Sequence, residues 1–369
     1  MKKHLFLITV TSTVLAGPIL QMNKAFNSLS GIMPYVLNEE SFKDKKNEKE
    51  IRKGFSELNS SLKLAGHDSL IKHDLFAPSY ALLKQNVEES SKSFNRGKKD
   101  FALWQLKEGL SMCLECHSRI PTDHPSSFQN GELTVNHEQW KNPYDLGIAY
   151  LIVRRYVDAK AQFMRSIQDH LIKKEEKEIL QPFQQILFIQ TRIMKDPQGM
   201  ITIIDDFINK KKLPPYINNT LGSWKKRLQT WETEKVVTGI KNEKELGDFI
   251  KRRLEHMKKE SFNDVHKVDI LLSSGLISSY FFMNQDTASA PVLSYWLGWM
   301  EKRLKRDQFL TSGDLYLKQC VRKYPTHPIA RECLQEYQES VEFDFSGSSG
   351  THIPKEIQEE LDKLKKLIK

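Results

Sequence analysis

The stretch KKDFALWQLKEGLSMCLECHSRIP, residues 98–121, decides the class of fold. It follows the turn signal Asn95-Arg96-Gly97 and strings Phe101, Leu103, Trp104, Leu106 and Leu110 along one unbroken helical pattern. The last turn of that helix carries Cys113, Cys116 and, directly behind the second thiol, His117. A helix, not a strand, is therefore the platform for the most reactive residues of the chain.

Working outward, three more amphipathic helices precede this one. The first runs near FNSLSGIMPYVL, residues 26–37, and Pro34 ends or kinks it. The second covers residues 47–67, with Ile51, Phe55, Leu58 and Leu62 at spacings of three and four. The third is APSYALLKQNVEESSKSF, residues 77–94, where Pro78 suits a first turn. Four helices with short connections predict a small bundle over 26–120. Residues 121–136, rich in Pro, Ser, Asn and Gly, read as a linker. Helical patterns then continue over 137–345 with no alternating strand, and a turn and capping helix close the chain over 346–369. The expected class is all-α.

The bulk composition agrees. The chain has 369 residues, 39% hydrophobic and 28% charged, a balance that supports a sizeable core and about two or three domains. Only 14 prolines and 17 glycines occur, which favours long helices over many-turned sheets. The formal charge is +9, but the lysines are dispersed among acidic residues, as in KKEEKE and KNEKELGDFIKRR, so the basic balance describes solvated helix faces and does not point to nucleic acid.

The first 25 residues have the layout of a secretory signal peptide. MKKH supplies positive charge, LFLITVTSTVLAG an apolar core, and Ala16 and Ala25 mark two cleavage points. No later stretch is long and apolar enough to span a bilayer, and nothing indicates peripheral membrane association. The expectation is a periplasmic protein, and in an oxidising compartment each cysteine should be paired or otherwise occupied.

Cys113, Cys116 and His117 match the c-type haem attachment signature C-x-x-C-H. Two thiols at this spacing add to the two vinyl groups of one haem, and the adjacent histidine supplies the proximal iron ligand. Zinc needs four ligands, and the only other cysteines, Cys320 and Cys333, lie about 200 residues away. A redox dithiol belongs behind a strand, and a disulfide between Cys113 and Cys116 is strained within a helix. One covalent haem c is the expected cofactor, and no zinc.

With its motif closing a fourth helix, the segment 26–120 resembles the bundle cytochromes related to cytochrome c′. The resemblance implies that Cys113 and Cys116 carry the haem and that His117 is the proximal axial ligand. The sixth position stays open among Met33, His67, His73, His124 and no protein ligand; Met112 is too close to Cys113 to reach the opposite face. Beyond the linker, NPYDLGIAYLIVRRYVDAKAQFMRSI resembles a tetratricopeptide unit through Leu146, Gly147, Tyr150, Tyr156, Ala159 and Phe163, with Arg154 departing from the usual small residue between the helices. A looser copy is SYWLGWMEKRL followed by GDLYLKQCVRKYP, with Leu297 and Gly298 in the first helix and Pro325 ending the second. About six units of ~34 residues would fill this region as an irregular helical solenoid.

Cys320 and Cys333 flank the turn KYPTHP, and the repeat resemblance implies a disulfide across that hairpin. FSGSSGTHIP lacks the lysine of a phosphate-binding loop, and no Ser-His-Asp or paired-carboxylate set stands out, so no enzyme activity is expected. The functional expectation is one-electron transfer by a mono-haem cytochrome whose repeats dock a redox partner. Two alternatives stay open, a haem-based gas-binding module and a scaffold with a structural haem.

Overall fold

A computed structural model of the chain describes residues 16–66, 69–122, 140, 142–210, 213–234, 239–260, 264–284, 287–304, 313–348 and 350–368. Among these residues the fold is all-helical but for one short ladder. The N-terminal part comprises α1 (Ala16–Val36), α2 (Glu39–Lys43), α3 (Glu48–Ala65), α4 (Ser69–Lys72), α5 (Ala77–Asn95) and α6 (Lys99–Arg119). Asn38 starts α2 by accepting from the Ser41 backbone N–H at 2.9 Å. Ile51, Phe55, Leu58 and Leu62 form the buried stripe of α3, as their spacing predicts. Pro34 lies inside the last turn of α1.

α1 packs on α3, α3 on α5 and α5 on α6, and α6 returns to α1. Phe42, Phe55 and Phe94 close the end of this group where α6 begins, with Phe42 and Phe94 centroids 5.2 Å apart. Lys99 pairs there with Glu48 at 2.7 Å, and Lys43 with Asp100. The motif therefore sits at the opposite end, about 25 Å along α6 from Asp100.

The remaining helices are α7 (Pro143–Ile152), α8 (Tyr156–Lys173), α9 (Leu180–Phe188) with a π-helical turn Ile189–Ile193, α10 (Pro197–Lys210) and α11 (Pro215–Thr233). After them come α12 (Glu243–Phe249) with a π-helical turn Ile250–Leu254, α13 (Glu255–Lys258), α14 (Asp264–Met283), α15 (Ala290–Leu304), α16 (Gly313–Lys323), α17 (Ile329–Asp344) and α18 (Lys355–Leu367). Successive helices pair: α7 with α8, α10 with α11, α15 with α16 and α16 with α17. In the first pair a Cβ on Gly147 would stand 2.6 Å from the Phe163 ring, so the α7–α8 contact requires glycine there. α14 is buried nearly all round, the behaviour of a core helix. No described helix is long and apolar enough to cross a membrane.

One feature departs from the sequence expectation. The segment after α17, read without strands, contains a two-residue antiparallel ladder, Ser346–Gly347 against Gly350–Thr351. Gly350, at φ +107°, allows the tight turn. Among the described residues α6 also packs on α7 and α14, and α5 on α16, within one apolar core.

Candidate functional site

The C-terminal half of α6 is enclosed by helices from both parts of the chain. From Gly109 to Ile120 every residue is buried except Cys113, Cys116 and His117. At 100° per residue these three occupy one strip about 100° wide, so the motif is the least covered line on that half-helix. Both thiols are uncombined. Burial pushes each up to about 12, Cys113 further through Cys116, while the Arg119 charge offsets part of the rise at Cys116. Reactive dithiols show the opposite shift, because a nucleophilic thiol needs a stabilised thiolate.

His117 meets the turn between α7 and α8. Its Nδ1 lies 2.5 Å from the carbonyl oxygen of Ile152. A carbonyl can only accept, so Nδ1 carries the proton and Nε2 the lone pair. Burial pushes the imidazole down to about 4, against the pull of the Ile152 carbonyl and with help from the Arg154 charge, so the ring is neutral at pH 7. The same turn caps α6. Arg154 donates from Nη2 to the Ile120 carbonyl at 3.0 Å and the Pro121 carbonyl at 3.1 Å, and from Nε to Tyr156 Oη at 3.2 Å. Tyr156 Oη in turn donates to the His117 carbonyl at 3.1 Å. A cation on the last carbonyls of a helix satisfies orphan acceptors and complements the dipole. Arg154 reaches them from φ +65°, a left-handed conformation that costs about 1 kcal/mol or more for a side chain of this type.

The other side of α6 holds a fully buried charge network. Glu301 of α15 accepts from Arg119 Nη2 at 2.6 Å and from Arg192 Nη2 at 2.7 Å. Ser79 donates to Glu115 at 3.1 Å, and Arg192 donates to Ser274 at 2.7 Å. The Arg119 guanidinium lies 4.8 Å from the Tyr316 ring centroid, and Tyr316 Oη donates to the Leu75 carbonyl. Two arginines and two glutamates balance formally, which is what makes such burial tolerable. Gly275 lets α14 approach, since a Cβ there would fall 2.3 Å from the Arg192 carbonyl oxygen.

The sequence candidates separate in space. Met33, buried one turn from the end of α1, belongs to the end where α6 begins, far from His117. His73 packs 5.2 Å from the Phe281 ring and lies beside Leu75, whose carbonyl accepts from Arg119. Residues 117 and 119 are 200° apart on α6, so His73 is on the far side from His117. His67 and His124 lie outside the described residues. Leu103, Leu106 and Leu110 are core residues, whereas Phe101 and Trp104 stack on each other at the surface. Cys320 and Cys333 are disulfide-bonded between α16 and α17, Cα atoms 6.3 Å apart. No group of three or more His, Cys, Asp and Glu side chains among the described residues is placed to hold a metal ion.

Ile152, Arg154 and Tyr156 were not read from the sequence as part of the site, although the arginine in place of a small residue at the turn was their signal. Glu301 gave none. No protein-family model, curated protein or solved structure matches the chain.

Proposed function

We propose that this chain is an exported mono-haem c-type cytochrome, its N-terminal helices forming a four-helix haem-binding unit and the rest an irregular tetratricopeptide-like solenoid that docks a redox partner. The observation that carries the reading is the state of the motif: two uncombined thiols and a neutral imidazole protonated on Nδ1, side by side on one half-buried strip of α6.

These residues fit haem. Cys113 and Cys116 would hold it through two thioethers, and His117 Nε2 would ligate its iron. Haem, when bound, supplies a one-electron couple. The protein's part is to hold the imidazole neutral and oriented, through the Ile152 carbonyl, and to bury the surroundings, which sets the potential. Raised thiol pKa values disfavour the dithiol reading, and one histidine with two thiols does not complete a zinc site.

The ring of contacts from α1 through α3, α5 and α6 supports the four-helix unit. The paired helices α7–α8 and α15–α16, with Gly147 under Phe163, support the repeat reading. For export, α1 includes both cleavage points: cleavage after Ala16 removes only its first residue, whereas cleavage after Ala25 removes nearly half of it and a buried alanine. We therefore expect a mature N-terminus at residue 17.

The deciding experiment is expression with the export signal and a haem-attachment system, followed by a haem-stained denaturing gel and an intact mass. A mass equal to the bare polypeptide sinks the proposal. Gas binding is the second reading, favoured by Met33 and His73 standing away from His117. Rapid carbon monoxide binding by the reduced protein supports it over electron transfer. Partner capture that survives loss of haem supports the scaffold reading instead.

A further inference from the structure

We propose that the α7–α8 turn, residues Ile152 to Tyr156, is the positioning device of the His117 ligand, so that the first hairpin after the linker is part of the ligand's assembly as well as a docking element. The inference rests on the haem-attachment reading for its consequence and on contacts within the chain for its geometry.

The Ile152 carbonyl accepts from His117 Nδ1 at 2.5 Å, and that contact fixes both the tautomer and the rotation of the ring. A backbone carbonyl at a turn is only as fixed as the turn. This one is tied to α6 at three points: Arg154 to the Ile120 and Pro121 carbonyls, and Tyr156 to the carbonyl of His117 itself. The Arg154–Tyr156 bond joins these ties into one unit. Arg154 holds a left-handed backbone that glycine would adopt without strain, and its side chain is spent on the helix end that carries the motif. A turn built only to reverse the chain would have no use for an arginine there. A bond from Nδ1–H to a carbonyl also increases the donor strength of the imidazole. Loosening the turn should therefore weaken iron ligation and raise the reduction potential, because a weaker donor stabilises the ferric state less.

Arg154→Gly tests this directly, since it keeps the backbone conformation and removes the three side-chain contacts. Tyr156→Phe removes one hydroxyl and serves where Arg154→Gly does not fold. The first readout is the exchange lifetime of the His117 Nδ1–H proton by NMR, on the full chain with or without haem. We expect a protected proton in the wild type and exchange at least about tenfold faster in Arg154→Gly, with a smaller change in Tyr156→Phe. The second is the midpoint potential of the haem-loaded variants, expected to rise in the same order. Unchanged proton lifetimes and potentials in both folded variants overturn the inference while leaving haem attachment standing. Absence of covalent haem, with the protected proton still lost in Arg154→Gly, sinks the attachment reading and supports the positioning role of the turn.

Discussion

The two cysteine pairs of this chain stand in opposite states. Cys320 and Cys333 come from different helices, lie wholly inside the core and are joined. Cys113 and Cys116 come from one helix, lie on its least covered strip and are not joined. The difference follows from spacing. Thirteen residues and a turn bring two Cα atoms to 6.3 Å, within bonding reach. Three residues along one helix hold Cys113 and Cys116 side by side on one strip of α6, where they stay unjoined. The two ends are stabilised accordingly, the α16–α17 hairpin by a covalent bond and the end of α6 by buried charge.

The comparison breaks most completely at the motif. Changing Cys113 and Cys116 to Ala together should abolish covalent haem, leaving no stained band and the polypeptide mass alone. The disulfide should survive in that variant, with Cys320 and Cys333 still joined in a peptide map. Retention of haem by the double variant through denaturation would refute the assignment of these thiols.

Next in size is the loss of charge balance. Glu301→Ala leaves Arg119 and Arg192 buried without their shared carboxylate, which should cost about 3–5 kcal/mol by denaturant titration. Glu301→Gln should be milder, because the amide oxygen still accepts. A cost below about 1 kcal/mol for Glu301→Ala would mean that the network does not hold the end of α6. Replacing Cys320 and Cys333 together by Ala should cost about 3 kcal/mol, from a closed loop of 13 residues. That change should leave haem content and carbon monoxide reactivity as in the wild type, since the disulfide joins α16 to α17 and the contacts that hold His117 come from the α7–α8 turn.

Much of this organisation could be read in advance. The helices α3, α5 and α6 follow from apolar spacing and from Pro78 and Gly97, all local signals. Gly147 and Phe163 were singled out through the resemblance to a tetratricopeptide unit, and the structure places the ring where a Cβ on Gly147 would collide with it. What escaped depends on partners far apart in the chain. Glu301 looks like the polar end of an apolar stretch, and only its contact with Arg119, 182 residues away, makes it structural. His73 and Met33 looked equally eligible as ligands, because distance along α6 and the 200° between residues 117 and 119 exist only once the helices are packed. The short ladder at 346–351 was missed because two residues per strand leave no alternation to detect.

The smallest effect belongs to the lid of the disulfide hairpin, and it carries a pH signature. Glu360 of α18 accepts from Tyr337 Oη at 2.7 Å and pairs with Arg322 at 2.7 Å and Lys318 at 3.2 Å. Burial raises its pKa, but the Tyr337 hydrogen bond and the two cations outweigh that and hold it below the ordinary carboxylate value. A depressed native pKa means the unfolded chain binds the proton more readily. The stabilisation is then fully present above about pH 4.5 and is lost as the pH falls through the native value. Glu360→Gln should cost about 1 kcal/mol at pH 7, because the charge-assisted bonds become neutral ones and one side of the pair is still wetted. Thermal melts of the two proteins should converge as the pH falls through that lowered native value. A gap that persists at low pH would assign the contribution of Glu360 to packing and not to charge. The α17–α18 contact would then resemble the covalent hairpin beneath it more than the ion-held end of α6.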